Sequence, residues 1–263
     1  LTTASSLGVR NYGNGLSTVS FRGTGANHTK LFWNGMPVMA PVTGVYDFSL
    51  FNTAFFSNAF VTSGAGALEY GGGTIGGTVQ LINDPDCSYQ NKITLSQTIG
   101  SFNTSRSNMK VNYGKETLSG SSSVFLSNAK NDFTYINTTK TGNPEEKQVQ
   151  NRQQQYVLMQ SIESWLNEFD RIYANLWWQK NEEQIPPAMY VASNDETRID
   201  SALRIQTGYT HFATRYKMEL KTGWSNENMN YTNPLSNIYS YTTQSGINSV
   251  AKATFYLHPK LDF

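Results

Sequence analysis

The chain has 263 residues and a net charge of +1, enough for one large domain or two smaller ones. Apolar residues make up 38% and charged residues 15%, below the roughly 45–50% and about 25% of ordinary globular proteins. Asn, Ser, Thr, Gln and Gly fill the gap, with 15 Tyr, 14 Phe and 5 Trp; this suits β-structure with wet surfaces, argues against a helical enzyme and leaves no footprint for nucleic acid.

In chain order, Leu1 opens in mid-pattern without a signal peptide. Glycine is dense and strands are short up to about residue 86. Cys87, the only cysteine, permits neither an internal disulfide nor a cysteine metal site. Beyond it, period-two alternation predicts eight strands: 91–101, 105–113, 118–128, 154–165, 170–180, 201–212, 215–225 and 247–257. Residues 152–168, "RQQQYVLMQSIESWLNE", would also suit an amphipathic helix. The connectors alternate short ("GKET", "NEF", "AT") and long (129–153, 181–200, 226–246), with a short "FNT" on the long side. Tight turns at one end and long loops at the other are the pattern of an outer-membrane barrel, whose strands must pair every backbone polar group within lipid. No apolar run approaches the ~18 residues of a membrane helix, but a barrel strand needs only ~9–11.

The faces support this in part. Ile172, Ala174, Leu176 and Trp178 oppose Arg171, Tyr173, Asn175, Trp177 and Gln179; Tyr216, Met218, Leu220 and Trp224 oppose Lys217, Glu219 and Lys221. Trp165, Phe169, Phe212 and Tyr216 near the short turns, and Trp177, Trp178 and Trp224 near the long loops, suggest two interfacial girdles. A soluble antiparallel sandwich would alternate too.

Catalytic and metal signals are thin. "YGGGTIGG" lacks a Walker lysine, and a β-run follows it where a dinucleotide site needs a helix. Its glycines allow tight bends and close backbone approach. His28, His211 and His258 share no ligand spacing, and no nucleophile elbow occurs. No catalytic residue, metal site or cofactor is expected. The N-x-[ST] triplets at Asn27, Asn103, Asn137 and Asn230 are expected by chance in so Asn-, Ser- and Thr-rich a chain.

Residues 16–36, "LSTVSFRGTGANHTKLFWNGM", hold Arg22-Gly23 at the end of one strand and Asn34-Gly35 at the turn after the next; "LEYGGGTIGGTVQLI" holds Tyr70-Gly71 and Ile75-Gly76-Gly77. Together they resemble the plug domain of TonB-dependent outer-membrane receptors. The resemblance covers most of 7–84 by motif and 87–263 by pattern. It implies a mainly β fold: an N-terminal α+β plug (1–86, its C-terminal part) and a transmembrane antiparallel β-barrel (87–263), about eight strands of an implied 22. It further implies a Gram-negative outer membrane, lipid contact, and uptake of a scarce nutrient complex energised by TonB. The chain departs from the family where a Glu and an Arg often help lock plug to barrel: by spacing these fall at Phe60 and Ser63. It also lacks a TonB box and the first half of the plug, so a fragment of a longer protein is expected.

The segment 35–51, "GMPVMAPVTGVYDFSLF", is the expected apical loop. Its layout is similar to the cobalamin-receptor branch. That likeness points to Met39, Val42, Thr43 and Tyr46, with Tyr12 and Asn14 from "NYGNG", as cargo contacts. Tyr and small apolar groups would suit a corrin or an aromatic ferric siderophore equally. An outer-membrane signal-transducing receptor of the same architecture and a soluble β-rich binding module are the alternatives.

Overall fold

The structure is a computed structural model and describes residues 7–11, 17–21, 23–38, 44–51, 55–63, 76–83 and 91–256. Strands β1 (Leu7–Asn11) and β2 (Ser17–Phe21) form a hairpin. β3 (Thr29–Trp33), β4 (Met36–Pro37), β5 (Asn58–Ser63) and β6 (Gly77–Ile82) form a second sheet in the order β4-β3-β6-β5. In it β3 runs parallel to β6 and the other pairs are antiparallel. The helical part of the expected α+β plug amounts, among the described residues, to two single 3-10 turns, Ala26–His28 and Phe48–Leu50.

Then comes one eight-stranded antiparallel sheet. Its members are β7 (Lys92–Gly100), β8 (Thr104–Lys115), β9 (Leu118–Ala129), β12 (Gln153–Trp165), β13 (Asp170–Gln184), β14 (Thr197–Phe212), β15 (Tyr216–Asn233) and β16 (Ile238–Phe255). The small hairpin β10 (Thr134–Ile136) and β11 (Glu145–Lys147) folds within the loop after β9. All eight expected strands are present, joined as neighbours in sequence. The helix-compatible segment is β12: both its edges are paired, to β9 and β13, and this long-range pairing overrides its local pattern.

One expected loop is mostly strand. Residues 226–246 were expected to connect two strands, but β15 and β16 run on for 18 residues each and leave only 234–237 as a turn. The cause is a cross-strand polar ladder. Asn226 Nδ2 donates to Ser245 Oγ at 2.6 Å, and Thr243 Oγ1 and Tyr241 O–H donate to Asn228 Oδ1 at 2.9 and 3.2 Å. At about 3.3 Å per residue such a strand is roughly 60 Å long, twice a ~30 Å hydrocarbon core.

The two faces of the large sheet differ. Leu158, Ile162, Ile172, Trp178, Ile205, Leu220 and Trp224 are exposed on one face; Met159, Ser161, Trp177, Arg204, Gln206 and Glu227 are buried on the other. The buried face packs on the small sheet, and a single core joins Phe21, Leu31, Trp33, Phe55, Val79 and Leu81 to Phe125, Val157, Met159 and Trp177. This is not a sandwich, since the outer face of the wall is apolar and uncovered. The expected girdles need correction. Trp177 is 2% exposed and points inward against Trp33. Trp165 and Phe212 stack on each other beneath the Arg171 guanidinium at the inner, short-turn rim. The aromatic run on the outer short-turn rim is instead Phe169, His211, Tyr216 and Phe255. Proximity to a turn in the sequence does not encode which way a side chain faces; strand parity does.

Four of the motif positions have a clear steric reason. Asn34 (φ 46°) and Gly35 (φ 80°) make the two-residue turn between β3 and β4, the conformation a tight hairpin requires. Asn34 Oδ1 also accepts from Asn83 N at 2.8 Å, fastening that turn to the end of β6. A Cβ on Gly77 would stand 2.7 Å from Thr62 O and 2.8 Å from the Phe21 ring, and one on Gly76 2.9 Å from His28 O. Arg22, Tyr70, Gly71 and Ile75 lie outside the described residues, while Gly23 turns the chain after β2 with φ 79°. Gly77→Ala should destabilise the small sheet by about 1–3 kcal/mol through forced overpacking. Limited proteolysis of the folded full-length protein should then show faster cleavage within residues 55–83, with the wall intact.

Candidate functional site

The two loops expected to meet cargo share a base. Of their six named residues, Tyr12, Asn14, Met39, Val42 and Thr43 lie outside the described residues; Tyr46 is described. It is 6% exposed and belongs to the core. Its hydroxyl donates to Val38 O at 2.8 Å, tying together the two ends of the 39–45 loop. Burial holds the phenol up at about 12, so it stays a neutral donor. The next residue, Asp47, anchors one end of the other loop: its Oδ1 accepts from Ser17 N at 2.9 Å, and also from Ser49 N at 3.0 Å and Ser49 Oγ at 2.6 Å. Tyr46 therefore sits at the base of the second loop, next to the residue that anchors the first.

Beneath this base is a cavity of about 570 Å³, between Thr18, Tyr46, Asp47 and Phe51 on the small sheet's side and Arg198, Asp200, Arg204, Glu227 and Tyr231 on the wall. It lies toward the long-loop end, and its volume falls within the ~300–1,000 Å³ range of ligand pockets. The floor is charged. Arg204 Nε and Nη2 donate to Glu227 Oε1 and Oε2 at 2.8 and 2.9 Å, a two-pronged pair. Its guanidinium carbon is 4.2 Å from the Trp177 ring centroid. Arg198 lies 2.8 Å from Asp200 and reaches Asp47 at 3.6 Å.

Sequence reasoning missed the residues that hold the two parts together. At the positions where a lock was in doubt, Phe60 is 55% exposed on β5, and the Ser63 side chain lies outside the described residues. Contacts made instead, among the described residues, include the Asp47–Arg198 ion pair and hydrogen bonds from Gln206 Nε2 to Trp33 O at 2.7 Å, from Gln155 Nε2 to Leu50 O at 2.7 Å, and from Asn83 Nδ2 to Ser161 Oγ at 3.1 Å. Trp177 sits at the centre, edge-on to Trp33, Phe51 and Phe56 with centroids 5.4–5.5 Å apart. The one available signal was Trp177 itself, a large aromatic on the polar side of its strand.

At the long-loop end, loops 130–152 and 185–196 are clasped. Asn137, fully buried, donates through Nδ2 to Met189 O and to Glu146 Oε2, both at 2.8 Å. Gln150 bonds Asp195 and accepts from Asn194 N at 3.1 Å. Lys140 first, then Asn137, holds the Glu146 carboxyl below the usual carboxylate range.

Comparison with known proteins fits this geometry. Residues 1–78 match the family model described as the TonB-dependent Receptor Plug Domain. No curated protein matches. Among solved structures, the chain is similar to the siderophore receptor PiuA from Acinetobacter baumannii (10% identity, TM-score 0.72, covering 97% of this chain and 39% of that one). It is likewise similar to the ferric yersiniabactin uptake receptor FyuA from Yersinia pestis (14%, TM-score 0.72, 97% and 42%). A third is P. aeruginosa FpvA bound to heterologous pyoverdines (14%, TM-score 0.67, 86% and 31%). The chain thus spans about a third to two-fifths of the length of these structures. The resemblance to TonB-dependent receptors, and the mainly β fold with its antiparallel barrel strands, are borne out.

Breaking the buried pair by Arg204→Met should cost about 3–5 kcal/mol, because Glu227 is left buried and uncompensated. Adding Glu227→Leu should recover most of it, as measured by urea unfolding of the full-length protein in detergent. For the loop clasp, a depressed carboxyl favours the folded form above its unfolded value and loses that support only as pH falls through the lowered one. Hydrogen exchange at residues 134–147 should therefore stay slow from neutral pH through the usual carboxylate range and accelerate only below it. Asn137→Ala should make it fast at every pH.

Proposed function

We propose that residues 1–86 and 87–263 are the plug and the first barrel strands of a Gram-negative outer-membrane receptor for uptake of a ferric siderophore, energised through TonB. The observation that carries this is the shared core: one face of the eight-stranded sheet is packed around the small sheet by Trp177, while its other face is an uncovered apolar band suited to lipid. A soluble module would not leave such a band uncovered. Tyr12, Asn14, Met39, Val42 and Thr43 would be the cargo contacts, with Tyr46 setting the position of the second loop through its bond to Val38 O. The neighbours named above as receptors of siderophores favour iron complexes over cobalamin as cargo.

The test is to recover the full-length protein from outer membranes and titrate it with ferrichrome, ferric enterobactin and cyanocobalamin. Binding of one iron complex, and none of cobalamin, is the expected result. Tyr46→Phe should weaken that binding about five-fold, the value of one hydrogen bond of about 1 kcal/mol, without unfolding the plug. Binding of cyanocobalamin alone would move the protein to the cobalamin branch. Absence from the outer membrane would overturn the receptor reading.

A further inference from the structure

A further cavity, of about 360 Å³, lies on the long-loop side, between the Phe48–Leu50 turn and strands β8, β9, β12, β13 and β14. Its volume too falls in the ligand-pocket range of ~300–1,000 Å³. One rung of the wall crosses it. Arg106 pairs with Ser127, Ser127 with Gln155, Gln155 with Asn181, and Asn181 with Asp200. Directly paired residues share a face of the sheet, so all five side chains belong to the inner one. The next inward rung toward the short turns holds Phe125 and Val157 of the core, then Gln179. A row of amides and a hydroxyl therefore stands immediately on the long-loop side of the dry patch.

Gln155 is engaged, through Nε2, with Leu50 O at 2.7 Å. Asn181 differs. It is 6% exposed, and both its Nδ2 and its Oδ1 are buried without a hydrogen-bond partner among the described residues. Such a group costs about 1–3 kcal/mol until something satisfies it. A ligand that offers a donor and an acceptor side by side would do so, and an amide is the simplest such group. Charge narrows the ligand further. The two long-loop cavities are lined by three arginines, Arg106, Arg198 and Arg204. Four inward carboxylates, Asp47, Asp200, Glu183 and Glu227, stand against them. Glu182 has the opposite parity and pairs with Lys180 on the outer face. Arg198 and Arg204 are already held in ion pairs. The described lining therefore has no positive excess with which to hold an anion.

We propose that this pocket selects an electrically neutral, amide-bearing iron complex, a ferric tris-hydroxamate on a peptide backbone, and that Asn181 is the residue that reads its amide. The inference rests on the receptor reading above and names the cargo class within it. In a ferric tris-hydroxamate, three groups that each give up one proton cancel the charge of iron(III). In a ferric tris-catecholate each group gives up two, and the complex keeps a triple negative charge that this lining does not answer. The peptide backbone supplies the donor and acceptor that Asn181 lacks.

The test uses the full-length protein in detergent, with ferrichrome as the neutral peptide hydroxamate and ferric enterobactin as the anionic catecholate. The native protein should bind ferrichrome about ten-fold more tightly or better. That affinity should change less than about two-fold between roughly 0.05 and 0.5 M salt, as an uncharged ligand requires. Asn181→Leu, close to Asn in size, should weaken ferrichrome binding about ten-fold or more. It should leave the urea midpoint of the unliganded protein unchanged or raised, because it removes a buried amide that has no partner. An amide that serves only the fold would give the reverse, a lower midpoint with native affinity. That result, a steep salt dependence, or equal or tighter binding of ferric enterobactin would overturn the inference. The preference and the salt dependence are read on native protein, so they decide the cargo class even where the variant does not fold. Binding of cyanocobalamin alone, or of none of the three ligands, would instead overturn the iron-receptor reading beneath it.

Discussion

The structure depends on one apolar site in an otherwise polar lining. The inner face of the wall carries Ser, Asn, Gln, Arg and Glu almost throughout, yet at mid-height it presents Phe125, Val157, Met159 and Trp177 together. Two layers of sheet can share a core only where both are dry, so this patch fixes where the small sheet sits. The surrounding polar groups follow from it. Gln206 and Gln155 reach backbone carbonyls of the small sheet because docking brings Trp33 and Leu50 within range, and Arg204 lies over Trp177 while its prongs hold Glu227. A guanidinium so placed satisfies a carboxylate and an aromatic face at once.

Around that anchor the charges are arranged asymmetrically. On the long-loop side Asp47 serves two structures, capping the base of the plug loops through one oxygen and meeting Arg198 of the wall through the other. Family expectation placed the plug–wall charges at Phe60 and Ser63, and the contact made instead lies on a different segment. The physical need is the same, a charge contact across a wet seam, and it can be met by any plug residue that the docking geometry brings to the wall.

The sequence made most of the wall legible because period-two alternation needs no tertiary information: all eight strands and the order of their connections could be read from it. What failed did so for identifiable reasons. The long β15–β16 hairpin reads as a loop because Asn, Ser and Thr crowd its outer face beside Tyr239 and Tyr241, and the cross-strand bonds of Asn226 and Asn228 show that it stays paired. Trp165, Phe212 and Trp177 were placed in girdles by nearness to turns, although parity sends them inward. The candidate site was legible only in outline. The loops at 12–14 and 39–46 could be named from likeness, but the role of Tyr46 as a tie at the loop base depends on Val38 lying opposite it, a contact across eight residues that no spacing rule supplies. The Asp47–Arg198 pair spans the whole distance from plug to wall and leaves no local trace.

The polar extension of β15 and β16 carries a consequence for how this surface can change over generations. Each of its residues is tied to a partner across the ladder and to one of two faces, and a single inserted or deleted residue would exchange inside for outside along the rest of the strand. Length here can change only in matched pairs on both arms, whereas the clasped loop at 130–152 can absorb any number between its fixed points. Two neighbouring stretches of the same outward surface thus evolve under different arithmetic: one drifts freely in length, and the other grows or shrinks by whole rungs or keeps its height.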